Sequence, residues 1–221
     1  MQAICFDLDG TLVEFDRPYA EIVADVFETH LDESSPELIE TYNRSFFDAF
    51  GDLVPNPYRD GMAAVLDVLD ADEPAADPDA MVETLREREY AAVTVDDAAR
   101  RSLASLAEDS TLGVITNGTP DWQRGKLAYA NLDEIFEVAD PDTATTERTV
   151  ADAVITSYEA GAHKPDPAPF ELAKERLPAE EYVMIGDDYE TDVEGSRAAG
   201  FVPIHFEREG PEFWAILDAM C

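Results

Sequence analysis

Residues 3–12 read Ala3-Ile4-Cys5-Phe6-Asp7-Leu8-Asp9-Gly10-Thr11-Leu12, and the fold is decided there. Four largely apolar residues have the character of a buried strand and run straight into Asp7, a residue a buried strand does not hold without a task. Strand side chains alternate with period two, so Leu8 points away and Asp9 returns to the side of Asp7. Gly10 then allows a sharp turn with exposed backbone N–H groups. Two carboxylates at one strand end repel each other unless a cation, a proton or an anion-binding task keeps both, and a divalent metal ion is the economical answer. Asp-x-Asp-Gly in isolation also opens ordinary turns. The rest of the chain has to decide between the two readings.

The chain has 221 residues, of which 45% are hydrophobic, enough for one sizeable domain or a core with a smaller attached one. Fifty acidic residues against fifteen basic ones give a formal charge of −35. Nucleic acid and anionic membrane surfaces both demand a basic patch, so neither is expected as a partner. Self-repulsion at this charge destabilises a compact state in dilute buffer and fades in molar salt, where the Debye length falls to about 3 Å. The composition resembles that of proteins from a salt-loaded halophile cytoplasm. Aromatic content of 10% and strong apolar runs oppose general disorder. Only Lys126, Lys164 and Lys174 are lysines, against twelve arginines. Cys5 and Cys221 build no disulfide framework, Cys5 suits a small core position, and a reducing, cytoplasmic compartment is expected. No apolar run reaches the length of a membrane span, and no basic region of a signal peptide opens the chain.

Residues 15–93 read as helices, over Pro18 to Leu31, Pro36 to Phe50, Tyr58 to Leu69 and Pro78 to Ala92, with apolar residues at helical spacing. Ser35 and Asp77 precede prolines as N-caps, while Pro55-Asn56-Pro57 and Glu73-Pro74 break the run. Beyond this block, short β-branched runs alternate with helices. Strands are expected over Leu112 to Thr116, Ala153 to Thr156, Tyr182 to Ile185 and Val202 to Phe206, and helices over Ala98 to Ala107, Pro120 to Ala130, Pro167 to Leu177 and Asp192 to Ala199. This alternation implies an α/β fold with a doubly wound parallel sheet. The expected division is a core of residues 1–14 and 94–221 with an inserted all-helical unit, residues 15–93. The acidic, threonine-rich segment 137–150 reads as loop or weak helix.

In such sheets the site lies beyond the carboxyl ends of the strands, where four clusters meet. Asp7 and Asp9 form the first. Thr116-Asn117-Gly118-Thr119-Pro120 brings a hydroxyl, an amide and backbone donors to a helix start, which suits an anion. In His163-Lys164-Pro165-Asp166-Pro167, one of the few lysines stands before a helix capped by Asp166 and begun by Pro167, the placing of a positioned cation rather than a solvated one. Gly186-Asp187-Asp188-Tyr189-Glu190-Thr191-Asp192 adds further carboxylates at a strand end.

Together and in this order, the four clusters resemble the motifs of the haloacid dehalogenase-like (HAD) superfamily: DxDGT, a Thr or Ser after the second strand, a Lys, then GDxxxxD. The resemblance spans the chain, with the helical insertion matching that family's first-position cap on a Rossmann-like core. It implies that Asp7 is a nucleophile forming an aspartyl-phosphate and that Asp9 is the acid–base partner. It further implies Mg²⁺ held by Asp7, the main-chain carbonyl of Asp9 and Asp187, with Asp188 and Asp192 in water-mediated contact or orienting Lys164. Thr116 and Lys164 would neutralise phosphate oxygens, with Asn117 and Gly118 binding substrate. Arg17, Arg44 and Arg59 are cap arginines available as counter-charges, though a solvated helix face accounts for each; His30, His163 and His205 read as surface or packing residues.

The stretch Ile115 to Leu127, ITNGTPDWQRGKL, looks like that of small-molecule phosphatases and nucleotidases, so a small phosphorylated substrate is expected. Dehalogenases of this family typically lack an acid two residues after the nucleophile, and the cap lysine of the phosphonate-cleaving members is absent. A phosphosugar mutase or a 2-haloacid dehalogenase remain the enzymatic alternatives, and a binding module on a retired hydrolase scaffold the non-enzymatic one. The charge excess makes one prediction independent of family: the melting temperature should rise between low and molar salt, and a flat profile across that range contradicts the halophile reading.

Overall fold

The computed structural model describes residues 2–69, 76–136, 138–139, 148–149, 153–207 and 213–220. The chain forms two compact units, Met1–Glu14 with Thr94–Cys221, and Phe15–Val93. Strand β1 (Gln2–Phe6) leads to a two-stranded ribbon, β2 (Glu14–Phe15) and β3 (Val93–Thr94), between whose strands the helical unit is inserted. Then follow the helix α5 (Asp97–Asp109), β4 (Thr111–Thr116), a short antiparallel ribbon of β5 (Val138–Ala139) and β6 (Arg148–Thr149), β7 (Val154–Thr156), β8 (Glu181–Gly186) and β9 (Val202–His205). Five strands make one all-parallel sheet ordered β7-β4-β1-β8-β9.

β1 sits in the middle because its residues are apolar on both faces: Ala3, Ile4, Cys5 and Phe6 are all buried. On one face, Phe6 meets Phe136 and Trp214, the latter from the helix Phe213–Met220. On the other, Cys5 pairs in register with Gly113, and Leu177 fills the space beside that glycine. Leu177 ends the helix Pro167–Arg176, so helices cover both faces of the sheet. Burial pushes the Cys5 thiol up to about 12, as befits an inert core residue, and it forms no disulfide.

The helical unit holds α1 (Tyr19–Leu31), α2 (Pro36–Gly51), α3 (Pro57–Val68) and α4 (Pro78–Ala91). Ser35 and Asp77 cap α2 and α4 by accepting from Leu38 N–H and Asp79 N–H. Its core is built from Ile22, Val26, Phe27, Tyr42, Met62 and Leu85, with Tyr42 stacked on Phe46 and edge-on to Phe27. Arg17 pairs with Asp25 and Arg59 with Asp79 on this unit.

Two local expectations change. The segment expected as a helix from Asp192 begins at Tyr189, and its first turn, Tyr189–Glu194, is wide, with Val193 N–H reaching back to the Asp188 carbonyl. Of segment 137–150, expected as loop or weak helix, the described residues form the β5–β6 ribbon; the remainder, with Glu73-Pro74 and Cys221, lies outside the described residues. No helix among the described residues is long and apolar enough to cross a membrane. Because Phe6 is fully buried against Phe136 and Trp214, Phe6→Ala should cost about 3–5 kcal/mol, read as a lowered denaturation midpoint with an unchanged slope.

Candidate active site

The carboxyl ends of β1, β4 and β8 bring the chemistry together. Asp7 N–H bonds to the Ile185 carbonyl at 2.8 Å, extending the ladder one residue beyond β1 and fixing Asp7 against the end of β8. Gly10 takes a φ of 99°, which lets the backbone turn immediately after the second carboxylate.

Lys164 is the hub. Its Nζ donates to Asp7 Oδ1 at 2.7 Å, Asp192 Oδ1 at 2.6 Å and the Ile115 carbonyl at 2.7 Å, using all three ammonium protons while only 4% exposed. Burial works against that ammonium, but Asp7 and Asp192 outweigh it and hold its pKa above the ordinary lysine value. Burial pushes the Asp7 carboxyl up to about 7 against the pull of Lys164, with Asp192 and Asp9 adding repulsion.

Asp192 reaches Lys164 only because β8 ends in glycine: a Cβ on Gly186 would stand 2.3 Å from Asp192 Cγ. Asp192 Oδ2 also accepts from Asp188 N–H at 3.1 Å. The Asp188 carboxylate caps the wide turn by accepting from Thr191 N–H, a bond that holds its pKa below the usual carboxylate value. Asp187 accepts from the Thr11 hydroxyl at 3.0 Å, and its carbonyl lies 3.0 Å from His205 Nε2.

Oxygens of Asp7, Asp187 and Asp192 lie within 4.8 Å of one another. Four carboxylates (Asp7, Asp9, Asp187, Asp192) face two ammonium groups (Lys126, Lys164), a formal excess of two negative charges. Hard oxygen donors with that excess fit a hard divalent cation.

Two residues assigned above to substrate contact have other partners. Asn117 clamps the backbone of Lys164, its Oδ1 accepting from the Lys164 N–H at 2.8 Å and its Nδ2 donating to the Lys164 carbonyl at 3.2 Å. Gly118 N–H donates to the buried Ser157 hydroxyl at 3.0 Å. Thr116 is buried at the end of β4, and its Oγ accepts from Gln123 Nε2 at 2.8 Å, which leaves the hydroxyl proton for another acceptor.

Sequence reasoning missed the surroundings of Asp9. Lys126 and Gln123, on α6 (Pro120–Tyr129), both donate to its carboxylate. The scarcity of lysine that singled out Lys164 applied equally to Lys126. Thr11 and Ser157 were likewise unassigned, because a threonine after Asp-x-Asp-Gly and a serine after a strand carry no local mark of a distant partner.

A family model described as haloacid dehalogenase-like hydrolase matches residues 1–200. A phosphoserine phosphatase of Thermus thermophilus is 35% identical over 122 residues, covering 52% of this chain and 40% of that protein. The ribulose-1,5-bisphosphate 5-phosphatase of Halopiger xanaduensis is 32% identical over 112 residues, covering 49% of this chain and 41% of that protein. The chain thus spans about two fifths of the length of these curated relatives. Among solved structures, the HAD-hydrolase YfnB from Bacillus subtilis, bound to magnesium, has a TM-score of 0.68 at 20% identity, covering 95% of this chain and 90% of that one. A 2-haloacid dehalogenase from Pseudomonas syringae has a TM-score of 0.70 at 25% identity, covering 96% and 89%. With a family model matching nearly its whole length and the same architecture in those structures, the chain belongs to the haloacid dehalogenase-like hydrolases.

Proposed function

We propose that this chain is a Mg²⁺-dependent phosphomonoesterase acting on a small phosphorylated metabolite through an aspartyl-phosphate on Asp7. The carrying observation is the carboxylate of Asp9, two residues beyond Asp7 and held by three N–H···O bonds from Lys126 and Gln123. A phosphate ester needs a proton delivered to its leaving oxygen, whereas a halide leaves without one, so Asp9 has a task in ester cleavage and none in dehalogenation.

Asp7 attacks phosphorus in line, which exchanges one hard displacement for two easier ones. Asp9 gives its proton to the departing alkoxide and then takes one from the water that opens the acyl-phosphate. Lys164 holds Asp7 Oδ1, so the carboxylate is turned before substrate arrives, and its positive charge lies where equatorial oxygens gather charge. The Thr116 hydroxyl, oriented by Gln123, has a proton to give to one of those oxygens. Asp7 and Asp187, with the main-chain carbonyl of Asp9, would hold Mg²⁺, which supplies Lewis-acid polarisation of the phosphoryl group. Asp192 serves chiefly to hold Lys164, and Asp188 to shape the turn that carries Asp192.

The helical unit, residues 15–93, would act as the first-position cap of this family. A buried free thiol and the surplus of acids support work in a reducing, salt-rich cytoplasm. The two curated relatives act on different phosphate esters by their names, which supports the reaction class without naming a substrate.

Hydrolysis of p-nitrophenyl phosphate in molar salt should require Mg²⁺, vanish in excess chelator and return on readdition; activity that persists in chelator contradicts the site. Asp7→Asn should lower kcat by at least about a thousandfold, and 2-chloropropionate should release no chloride.

A further inference from the structure

We propose that Lys126, assisted by Gln123, is the positioning residue that aims the Asp9 carboxylate for proton transfer; the assignment rests on the phosphomonoesterase reading above. Lys126 Nζ lies 2.8 Å from Asp9 Oδ1 and 2.9 Å from Oδ2, so one ammonium spans both oxygens. Gln123 Nε2 lies 2.8 Å from Oδ2 and, with the same nitrogen, 2.8 Å from the Thr116 hydroxyl and 3.3 Å from the Asn117 carbonyl. The two donors stand three residues apart and therefore share one face of α6.

Neither donor is a surface residue that happens to reach inward. Lys126 is 4% exposed and Gln123 is 2% exposed, in a chain whose other basic residues are nearly all arginines. Burying a lysine costs free energy unless its charge is met, and the Asp9 carboxylate, one-third exposed, meets it here. The backbone is built around this contact as well. A Cβ on Gly118 would fall 2.7 Å from Gln123 Cγ and 2.9 Å from its Nε2, so glycine at 118 gives the Gln123 side chain its path to Asp9 and Thr116.

The arrangement separates two tasks at one strand end. Lys164 holds Asp7, the nucleophile; Lys126 holds Asp9, the proton carrier. Each carboxylate has its own ammonium, which keeps two neighbouring like charges in different orientations. When Asp9 has given its proton to the leaving oxygen, the resulting carboxylate is received by donors already in place, and no side chain has to move to meet it. Without Lys126 the carboxylate is left with Gln123 on one oxygen and is free to rotate about its χ angles.

The test compares leaving groups. Phenyl phosphate and 2,4-dinitrophenyl phosphate are mixed with excess Mg²⁺-loaded enzyme, and release of the phenol is followed in a single turnover, which isolates the first chemical step and is independent of the fraction of enzyme that is active. Lys126→Met should slow phenol release about a hundredfold, while release of 2,4-dinitrophenolate, which needs no proton, changes less than about threefold. Gln123→Met should show the same pattern at about tenfold. Equal slowing of both esters overturns the assignment alone and makes Lys126 a phosphate-binding or purely structural residue. Wild-type enzyme inert towards both esters overturns the phosphomonoesterase reading and this assignment with it.

Discussion

A buried lysine between two aspartates is the contact on which the rest of the site depends. Without Lys164, Asp7 and Asp192 would face each other at the end of a sheet with little water to screen them, and removing one partner of a buried pair commonly costs about 3–5 kcal/mol. The fold supplies that lysine from a loop far along the chain and then secures the loop. Asn117 clamps its backbone from both sides, Asp166 caps the helix that follows by accepting from Ala168 N–H, and the Ile115 carbonyl takes the third ammonium proton. The strand that precedes Asp7, the strand that precedes Asn117 and the turn that carries Asp192 are all tied to one nitrogen atom.

Space at the site is made by omission of side chains. Gly186 and Gly118 each stand where a methyl group would collide with a functional side chain, Asp192 in the first case and Gln123 in the second. Gly186 is the last residue of β8, and Gly118 stands two residues beyond the end of β4. Close packing of this kind fixes the side chains of Asp192 and Gln123 in place.

Much of the architecture was legible because its signals are local. An apolar run of strand length ending in an acid, proline after Ser35, Asp77 and Asp166, and alternating short runs with helices each report on neighbours a few residues away. What the sequence hid is long-range or ambiguous in kind. Lys126 and Gln123 matter because α6 leaves β4 in a direction that returns its first turns to the end of β1, and no local pattern encodes that meeting over more than a hundred residues. Asn117 was open to two uses, since an amide beside a strand end suits an anion or a backbone clamp equally, and the partner that decides it lies 47 residues on. The wide turn at Tyr189–Glu194 was hidden for a similar reason: it exists to aim Asp192, and the lysine it aims at comes from another loop.

Retaining lysine at so few places has an outcome for surface chemistry. Two of the three amines are sealed among carboxylates, so an acylating reagent, an aldehyde fixative or an acetyl donor meets Lys174 as the one lysine with its side chain partly in solvent, and there it is tethered to Glu171 and the Ala199 carbonyl. The exterior of this protein is therefore nearly mute to lysine-directed modification, which falls on a single partly occupied amine.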